Sequence, residues 1–282
     1  MRFQRLIFAA IIACAVSACA KDVTGVTHTP PPLAYVRYVN AVADTFDMDF
    51  RAVDQVQYSP PFINVLFRNM GEGSYQGYQA GSRHIKIFLD PAPANNDVAV
   101  DPAIVSTVMV DTTYSFTAAT YYTLTEVGSA RAKTTKLLIH PDTLPAQTAG
   151  VQYRVTNLAT VQGAVDVYVV ADSTSALVGA PTIANLAAGA SSTYTSRATG
   201  AFYIRLTAPG NPAAPIGKAN GYILQAGAAG TTSVDPVYGS GQPGSILTAY
   251  IFDASIGAAG AQFATPGVVY FADVQPPRTT TP

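Results

Sequence analysis

The residues that could carry out acid–base or metal chemistry are few, and their spacing matches no familiar catalytic motif. The chain of 282 residues has three histidines, His28, His84 and His140. None belongs to an H-E-x-x-H segment, which would place two zinc ligands on one face of a helix. The G-x-S-x-G turn that exposes the serine of α/β-hydrolases is also missing. We therefore predict no catalytic residue, no cofactor and no metal ligand, although a site assembled from distant residues would leave no such signature.

Two other patterns could bind ligands, but turns account for both. Residues 239–244 read G-x-G-x-x-G, yet a strand-like sequence follows at 245–250, where a dinucleotide site needs the start of a helix. Acidic residues cluster at 44–49 and 90–101, without the Gly and Glu positions of an EF-hand loop. We predict solvated turns in these segments.

An arginine, an asparagine and an aspartate recur with one constant spacing. They are Arg37, Asn40 and Asp49 in the first half and Arg154, Asn157 and Asp166 in the second. The arginine and the aspartate fall on polar positions of successive strands, so a hairpin would place them opposite each other. We predict a structural cross-strand ion pair within each half and a turn at each asparagine. Ligand binding by the same residues is the alternative.

Tyrosine is the remaining candidate for recognition. Six tyrosines cluster in the first half, and they are Tyr35, Tyr38, Tyr75, Tyr78, Tyr121 and Tyr122. A tyrosine ring offers contact area with a polar tip, which suits a binding face. The alternative is ordinary strand composition, because strands are enriched in tyrosine. The chain has no tryptophan, the residue that carbohydrate modules usually stack on sugars.

The N-terminus has the pattern of a secretory signal. Arg2 and Arg5 precede an apolar run at 6–16 that is too short to span about 30 Å of hydrocarbon. Val16-Ser17-Ala18-Cys19 resembles the bacterial lipobox, which implies cleavage between Ala18 and Cys19 and lipid attachment to Cys19. Two or three acyl chains give stable membrane anchoring. The alternative is ordinary secretion, with cleavage at an Ala-x-Ala-like site.

These features predict a location in the cell envelope. Residues 1–18 are the predicted signal peptide, and the lipid on Cys19 is the predicted link to the membrane. Ala20 favours the outer membrane, since an aspartate at that position retains lipoproteins in the inner membrane in enterobacteria-like sorting. Residues 19–32 form a Pro-rich spacer that would lift the folded part off the membrane.

The composition predicts a folded, nearly neutral protein. Only 12% of the residues are charged, 49% are hydrophobic, and the formal net charge is −1. A disordered chain has fewer apolar and more charged residues. A nucleic-acid binder carries a basic excess, so we predict no nucleic-acid partner.

Apolar and polar residues alternate along much of the chain, which is the period of strands with one buried face. Val165, Val167 and Val169, for example, alternate with Asp166 and Tyr168. Turn-forming segments rich in Gly and Pro separate the runs, as at 208–212 and 239–244. No segment shows sustained helical periodicity. The sequence predicts an all-β protein of antiparallel β-sandwiches, with 114–126 as one long strand.

Further matches extend the internal repeat. Asn69 and Tyr78 are matched by Asn185 and Tyr194, and Ile85-Lys86-Ile87 by Ile204-Arg205-Leu206. Both halves end with an aspartate followed by a proline, first at Asp142 and Pro145 and then at Asp273 and Pro276. Because these matches share one order, we predict two tandem domains, at 33–146 and 149–276, with a tail at 277–282.

The recurring pattern is similar to that of a known family. Arg-x-x-Asn, then an aspartate between apolar residues, then Leu-x-x-Gly, a tyrosine and a Lys/Arg strand resemble the domain of unknown function numbered 4397. That family occurs, often in tandem, in bacterial lipoproteins and surface proteins. The resemblance implies an immunoglobulin- or transthyretin-like sandwich and no known activity.

We expect a non-enzymatic envelope lipoprotein that displays two β-sandwich domains to a protein or polysaccharide partner. Edges and loops would supply the contacts. Two alternatives are a periplasmic or surface hydrolase with a non-local active site, and a purely structural spacer.

Overall fold

A computed structural model describes residues 30–45, 47–56, 59–71, 74–90, 108–231, 233–256 and 263–278. The predicted signal peptide, the lipidation residue Cys19 and most of the spacer therefore lie outside the described residues, as does most of the acidic cluster at 90–101. All named elements of the described part are strands, which confirms the all-β class. In that part, no helix is long and apolar enough to cross a membrane.

The first half of the fold contains nine strands in two sheets. One sheet has the order β4-β1-β8-β9, with β5 also paired to β1, and the other has the order β3-β2-β6-β7. The strand bounds are β1 Leu33–Val42, β2 Asp47–Ala52, β3 Val65–Leu66, β4 Asn69–Met70, β5 Gln76–Gln79, β6 Gly81–Asp90, β7 Val108–Phe116, β8 Tyr121–Gly128 and β9 Lys136–Asp142.

The second half has a corresponding arrangement. Its sheets have the orders β13-β10-β17-β18 and β12-β11-β14-β15, with β16 also paired to β14. The strand bounds are β10 Val151–Asn157, β11 Val165–Val170, β12 Ile183–Leu186, β13 Thr195–Arg197, β14 Tyr203–Ala208, β15 Asn211–Ile216, β16 Tyr222–Ile223, β17 Ile246–Phe252 and β18 Gly267–Val274.

The sheets differ in two ways from the antiparallel sandwiches that the sequence predicts. β1 pairs with β8 in parallel, and β10 pairs with β17 in parallel, so one sheet in each half is mixed. These parallel pairs join strands that are far apart in the sequence, where local alternation carries no information on direction. The long strand predicted at 114–126 is two strands, β7 and β8, because the chain turns at 117–120.

Each half has its own apolar core between its two sheets. In the first half, Tyr38 of β1, Phe50 of β2 and Leu124 of β8 are fully buried in one cluster. In the second half, Val155, Val167 and Ala249 occupy the corresponding strands and are also fully buried. The predicted apolar face of these strands is buried, but the opposite faces of β10 and β11 are largely buried as well, and not solvated as the alternation predicts.

A third apolar cluster joins the two halves. Val39, Phe67 and Val127 of the first half pack with Tyr250 and Phe252 of the second. Phe67 contacts the edge of the Phe252 ring at a centroid distance of 6.1 Å. As a result, Leu33–Pro282 forms one compact unit. The predicted boundary between two separate domains at 146–149 stays a prediction, because the contacts between the halves make them part of one compact unit.

Candidate functional site

Arg37 lies fully buried on β1, on the face of its sheet that meets the second half. Its Nε donates to Thr123 Oγ1 at 2.7 Å, and its Nη2 donates to the Tyr250 hydroxyl at 2.9 Å. Nη2 also lies 2.5 Å from Oδ1 of Asp273. Burial is the largest single effect and opposes the charge. Asp273, followed by Tyr250, Tyr75 and Asp142, together outweigh it, so the pKa of Arg37 is raised well above its usual value.

Arg154 makes the equivalent contacts with the roles of the two halves exchanged, since its aspartate partner lies in the first half. It lies on β10 and its Nη2 contacts Oδ1 of Asp142, at the end of β9, at 2.5 Å. Its Nε donates to Thr248 Oγ1 at 2.8 Å. Burial again opposes the charge, and Asp142 and then Asp273 raise the pKa of Arg154. Each arginine is thus paired with the terminal aspartate of the other half.

Each aspartate is held by a threonine and a tyrosine of its own half. Thr123 Oγ1 and the Tyr75 hydroxyl donate to Oδ2 of Asp142, at 2.5 and 2.9 Å. Oδ2 of Asp273 accepts from Thr248 Oγ1 at 2.7 Å and from the Tyr194 hydroxyl at 2.9 Å. The carboxylates therefore have both a cation and neutral donors, which is the condition for burying charge without a large penalty.

The tyrosine rings also cover the arginines. The guanidinium carbon of Arg37 lies 4.6 Å from the Tyr75 ring centroid, and that of Arg154 lies 4.8 Å from the Tyr194 centroid. Burial raises the pKa of Tyr75 and of Tyr194, so both hydroxyls stay protonated donors. We call the eight residues the exchanged ion-pair cluster: Arg37, Tyr75, Thr123, Asp142, Arg154, Tyr194, Thr248 and Asp273.

The family model described as "Domain of unknown function (DUF4397)" matches residues 34–168. The match supports the family resemblance seen in the sequence. A search of curated proteins found no match.

The DUF4397 match covers the whole first half and continues into β11 of the second. It therefore contains five members of the exchanged ion-pair cluster, and leaves out three on the C-terminal side. Those three are Tyr194, Thr248 and Asp273. One family match thus spans both arginines but only one of the two aspartates that they contact.

The predicted ion pairs within each half are wrong. Arg37 and Asp49 lie on β1 and β2, which belong to different sheets, so no hairpin places them opposite each other. The same holds for Arg154 and Asp166, on β10 and β11. The alternation pattern was correct, but the connection after the first strand crosses to the facing sheet.

The recurring aspartates instead accept backbone N–H groups. Asp49 Oδ1 accepts from the amide of Asn64 at 2.8 Å, and Asp166 Oδ1 from that of Asn185 at 2.6 Å. Both asparagines have positive φ, 52° and 49°, a conformation that asparagine tolerates better than most residues. Asn185 therefore corresponds to Asn64, and the sequence match with Asn69 is corrected.

We expect Asp166→Ala to lower the free energy of unfolding by about 1–3 kcal/mol, because it leaves two backbone donors without their acceptor. Asp166 is buried, and its Oδ2 also accepts from the Gly210 amide at 2.7 Å. Thermal and urea unfolding measure the effect. Asp49→Ala is the matched control and should cost less, since Asp49 is half-buried and accepts one such bond. An unchanged midpoint for Asp166→Ala would contradict this role.

The recurring asparagines lie near or at the ends of strands, and each Oδ1 accepts the backbone amide two residues on at 3.0 Å, from Val42 and from Ala159, as in an Asx turn. Asn40 Nδ2 donates to the carbonyl of Val65 at 2.9 Å, and Asn157 Nδ2 donates to that of Leu186 at 2.9 Å. Both side chains are fully buried. Each amide thus links one sheet of its half to the other, which explains why an asparagine occurs at both positions.

Arg68 makes a second connection between the halves. It donates through Nη2 to the carbonyl oxygens of Asp253 and, at 2.6 Å, of Thr265. Its guanidinium carbon lies 4.5 Å from the Phe263 ring centroid. Burial lowers the pKa of Arg68 to about 10, and the side chain stays charged at neutral pH. The sequence analysis missed Arg68 because nothing in the second half repeats it.

The six tyrosines divide between the core and a half-exposed cluster. Tyr38, Tyr78 and Tyr122 are buried in the core of the first half. Tyr35 stacks on Tyr121 at 4.9 Å, and Tyr75 meets the edge of Tyr121 at 4.9 Å. We call Tyr35, Tyr75 and Tyr121 the tyrosine cluster. The structure also shows that Tyr75, not Tyr78, corresponds to Tyr194, since both donate to the terminal aspartate of their half.

The other candidate residues have local roles. His84 Nε2 lies 2.6 Å from Asp111 Oδ1, a contact between neighbouring strands near solvent, while the side chain of His140 is exposed. The solvated turn predicted at 44–49 is wrong, because Asp44 is buried and accepts the amide of Ala130 at 2.9 Å, while 47–49 belong to β2. The segment at 239–244 leads into strand β17. Among the residues that the structure describes, no group of three acidic, histidine or cysteine side chains could hold a metal ion.

Proposed function

We propose that the chain is a non-enzymatic lipoprotein of the cell envelope, in which two tandem β-sandwich domains form one rigid unit that binds an envelope or extracellular partner. The observation that carries this proposal is the exchanged ion-pair cluster. It commits two arginines and two aspartates to joining the halves, with both aspartates and Arg37 buried. This cluster of buried charges thus has an architectural role.

The two cores support the sandwich assignment. Each half has an apolar cluster between its own two sheets, and the strand orders of the two halves correspond. The family match over 34–168 is consistent with a domain of this kind. The repeated motif, which the structure reuses in both halves, supports tandem duplication.

The anchor is inferred from the sequence. The lipobox-like segment 16–19 and the Pro-rich segment that follows fit an acylated chain whose folded part begins at Leu33. Lipid on Cys19 would hold the rigid unit close to an outer-membrane surface. Mass spectrometry of the N-terminal peptide from membranes should find a chain that begins at Cys19 and carries acyl groups.

The tyrosine cluster is the proposed binding face. Its three rings are in contact, half-exposed and next to the buried cluster that fixes Tyr75. Rigid aromatic rings with polar tips lose little conformational entropy on binding, which favours recognition.

The function is tested by crosslinking in intact envelopes with the full chain carrying a C-terminal tag. We expect a specific partner to be enriched with the anchored chain, lost in the variant Tyr35→Ala/Tyr121→Ala, and kept in Tyr203→Ala. Tyr203 is a matched control because it is also half-exposed and lies on a strand of the second half. Cys19→Ser is the unanchored control. If the anchored chain enriches nothing over Cys19→Ser, or if the double variant keeps the partner, the proposed binding face is wrong.

A further inference from the structure

Strand β7 is the outer strand of its sheet, and its second edge has no partner strand in the part of the chain that the structure describes. Its first edge pairs with β6. Its nine residues contain no proline. A strand of this length with an open edge is a template for another extended chain.

The direction of the backbone groups follows from β6. The carbonyl of His84 accepts from Val53 N at 2.9 Å, so the backbone groups of His84 point toward β2 and away from β7. Thr113 is the antiparallel partner of His84 and must direct its own N–H and C=O away from β6. The same direction holds two residues away on either side, at Asp111 and Ser115.

These three residues form a continuous free edge. All three have exposed side chains, and none of their outward backbone groups has a partner among the described residues. The edge ends at Met109, whose carbonyl accepts from Thr135 Oγ1 at 3.1 Å. The open segment therefore runs from Asp111 to Ser115.

The other long outer strands are protected. β9 contains Pro141, and β15, which corresponds to β7, contains Pro212 and Pro215. Proline removes a donor and blocks pairing at an edge. On β18 the carbonyls of Tyr270 and Ala272 accept from the side chains of Tyr238 and Arg37. Among the long outer strands that the structure describes, β7 has neither form of protection.

The charge on this edge is compensated inside the same chain. Asp111 is the one charged residue of β7, and Lys86 Nζ lies 3.0 Å from its Oδ2. Its Oδ1 is in contact with His84. These contacts lower the pKa of Asp111, with His84 as the largest cause, so its negative charge is already matched by neighbours on β6.

We propose that β7 pairs with β7 of a second copy of this chain, antiparallel and centred on Thr113. The sequence is complementary to itself about that centre: Thr113 meets Thr113, and Asp111 meets Ser115, whose hydroxyl can donate to the carboxylate. Threonine pairs and hydroxyl–carboxylate pairs are favourable across strands. Each of the three opposed pairs exchanges two backbone hydrogen bonds in this register. The join continues the sheet β3-β2-β6-β7 into the second copy.

Disulfide trapping of the full chain in membranes tests this register. In the proposed dimer the two Thr113 Cα atoms are about 5.5 Å apart, a distance that a disulfide spans. Thr113→Cys should give a disulfide-linked dimer that a reducing agent converts back to monomers. Asp111→Cys alone should not, because its two copies would lie roughly 14 Å apart. Asp111→Cys mixed with Ser115→Cys should crosslink.

The unmodified chain gives the background. Its two cysteines are Cys14, which the proposed cleavage removes, and Cys19, whose thiol the proposed lipid occupies. Ala213→Cys, on the proline-blocked strand β15, is the matched control for random collision and should not exceed that background. We expect at least a tenfold excess of dimer for Thr113→Cys over Ala213→Cys. Equal crosslinking at all these positions, no excess for Thr113→Cys, or linkage of Thr113→Cys to a different protein would each overturn self-pairing through β7.

Discussion

Replacing Arg37 with methionine is expected to lower the free energy of unfolding by about 3–5 kcal/mol. The change removes the cation from a fully buried site and leaves Asp273 with a buried, uncompensated charge. Thr123 and Tyr250 lose a hydrogen-bond partner at the same time. Urea unfolding followed by circular dichroism measures the loss.

A double variant separates charge pairing from packing. Adding Asp273→Asn to Arg37→Met removes the unpaired charge, while the amide oxygen can still accept from Thr248 and Tyr194. The double variant should therefore be more stable than Arg37→Met alone. Arg51→Met is the control for a half-buried pair, Arg51 with Asp49, and should change stability by no more than about 1 kcal/mol. If the two substitutions at Arg37 and Asp273 simply add, the residues are not coupled across the halves.

Glu126→Gln is expected to stabilise the protein at pH 8 and to leave it nearly unchanged at pH 4. Glu126 is fully buried, and its Oε2 accepts from the Tyr38 hydroxyl at 2.7 Å, while Oε1 has no hydrogen-bond partner among the residues that the structure describes. Burial raises the pKa of Glu126 to about 7, an effect that the Tyr38 hydrogen bond only partly opposes. The carboxyl is therefore protonated in the folded protein under mildly acidic conditions.

The direction of this pH dependence follows from the difference between the Glu126 pKa in the folded and in the unfolded state. Because the folded pKa is raised, the contribution of Glu126 to stability is fully present below the ordinary carboxyl pKa of 4.5, which Glu126 has in the unfolded chain. It is lost as the pH rises toward about 7, and the accumulated cost at pH 8 is about 3 kcal/mol.

Stability measured at several pH values compares the parent chain with Glu126→Gln and Glu126→Ile. Ile251 faces Asn157 across the parallel β10–β17 pair as Glu126 faces Asn40, so isoleucine is the residue that the second half uses at this position. Both variants should show a flatter pH profile than the parent. A decline in stability of equal size in all three proteins would assign the pH dependence to other groups.

The sequence predicted the class of the fold because alternation is a local property. The apolar core positions of β2, β10 and β11 could be read from spacing alone. The burial of Gln152, Thr156 and Asp166 on the opposite faces of β10 and β11 could not. Strand β15 was missed because its prolines and Asn211 are typical of turns, and pairing with β14 overrides that preference. Glu126 was also missed, since a single carboxyl among apolar residues has no pattern.

The candidate site shows the same limit more sharply. The sequence shows that Arg37 recurs as Arg154 and that Asp142 recurs as Asp273. It also shows that each half contains one of these arginines and one of these aspartates. The partners were wrong because recurrence does not say which copy supplies the second member of a pair. That choice depends on the way the third apolar cluster packs the two halves together, which is a property of distant residues.

The reciprocal contacts between the two halves of this single polypeptide have the same pattern as the interface of a symmetric dimer. In an isologous interface residue i of one subunit contacts j of the other, and j contacts i, as Arg37 and Asp273 mirror Arg154 and Asp142 here. Covalent connection through the segment between β9 and β10 makes that association intramolecular, so it does not weaken on dilution. Either half, separated from the other, would carry an arginine and an aspartate whose ion-pair partners are in the missing half.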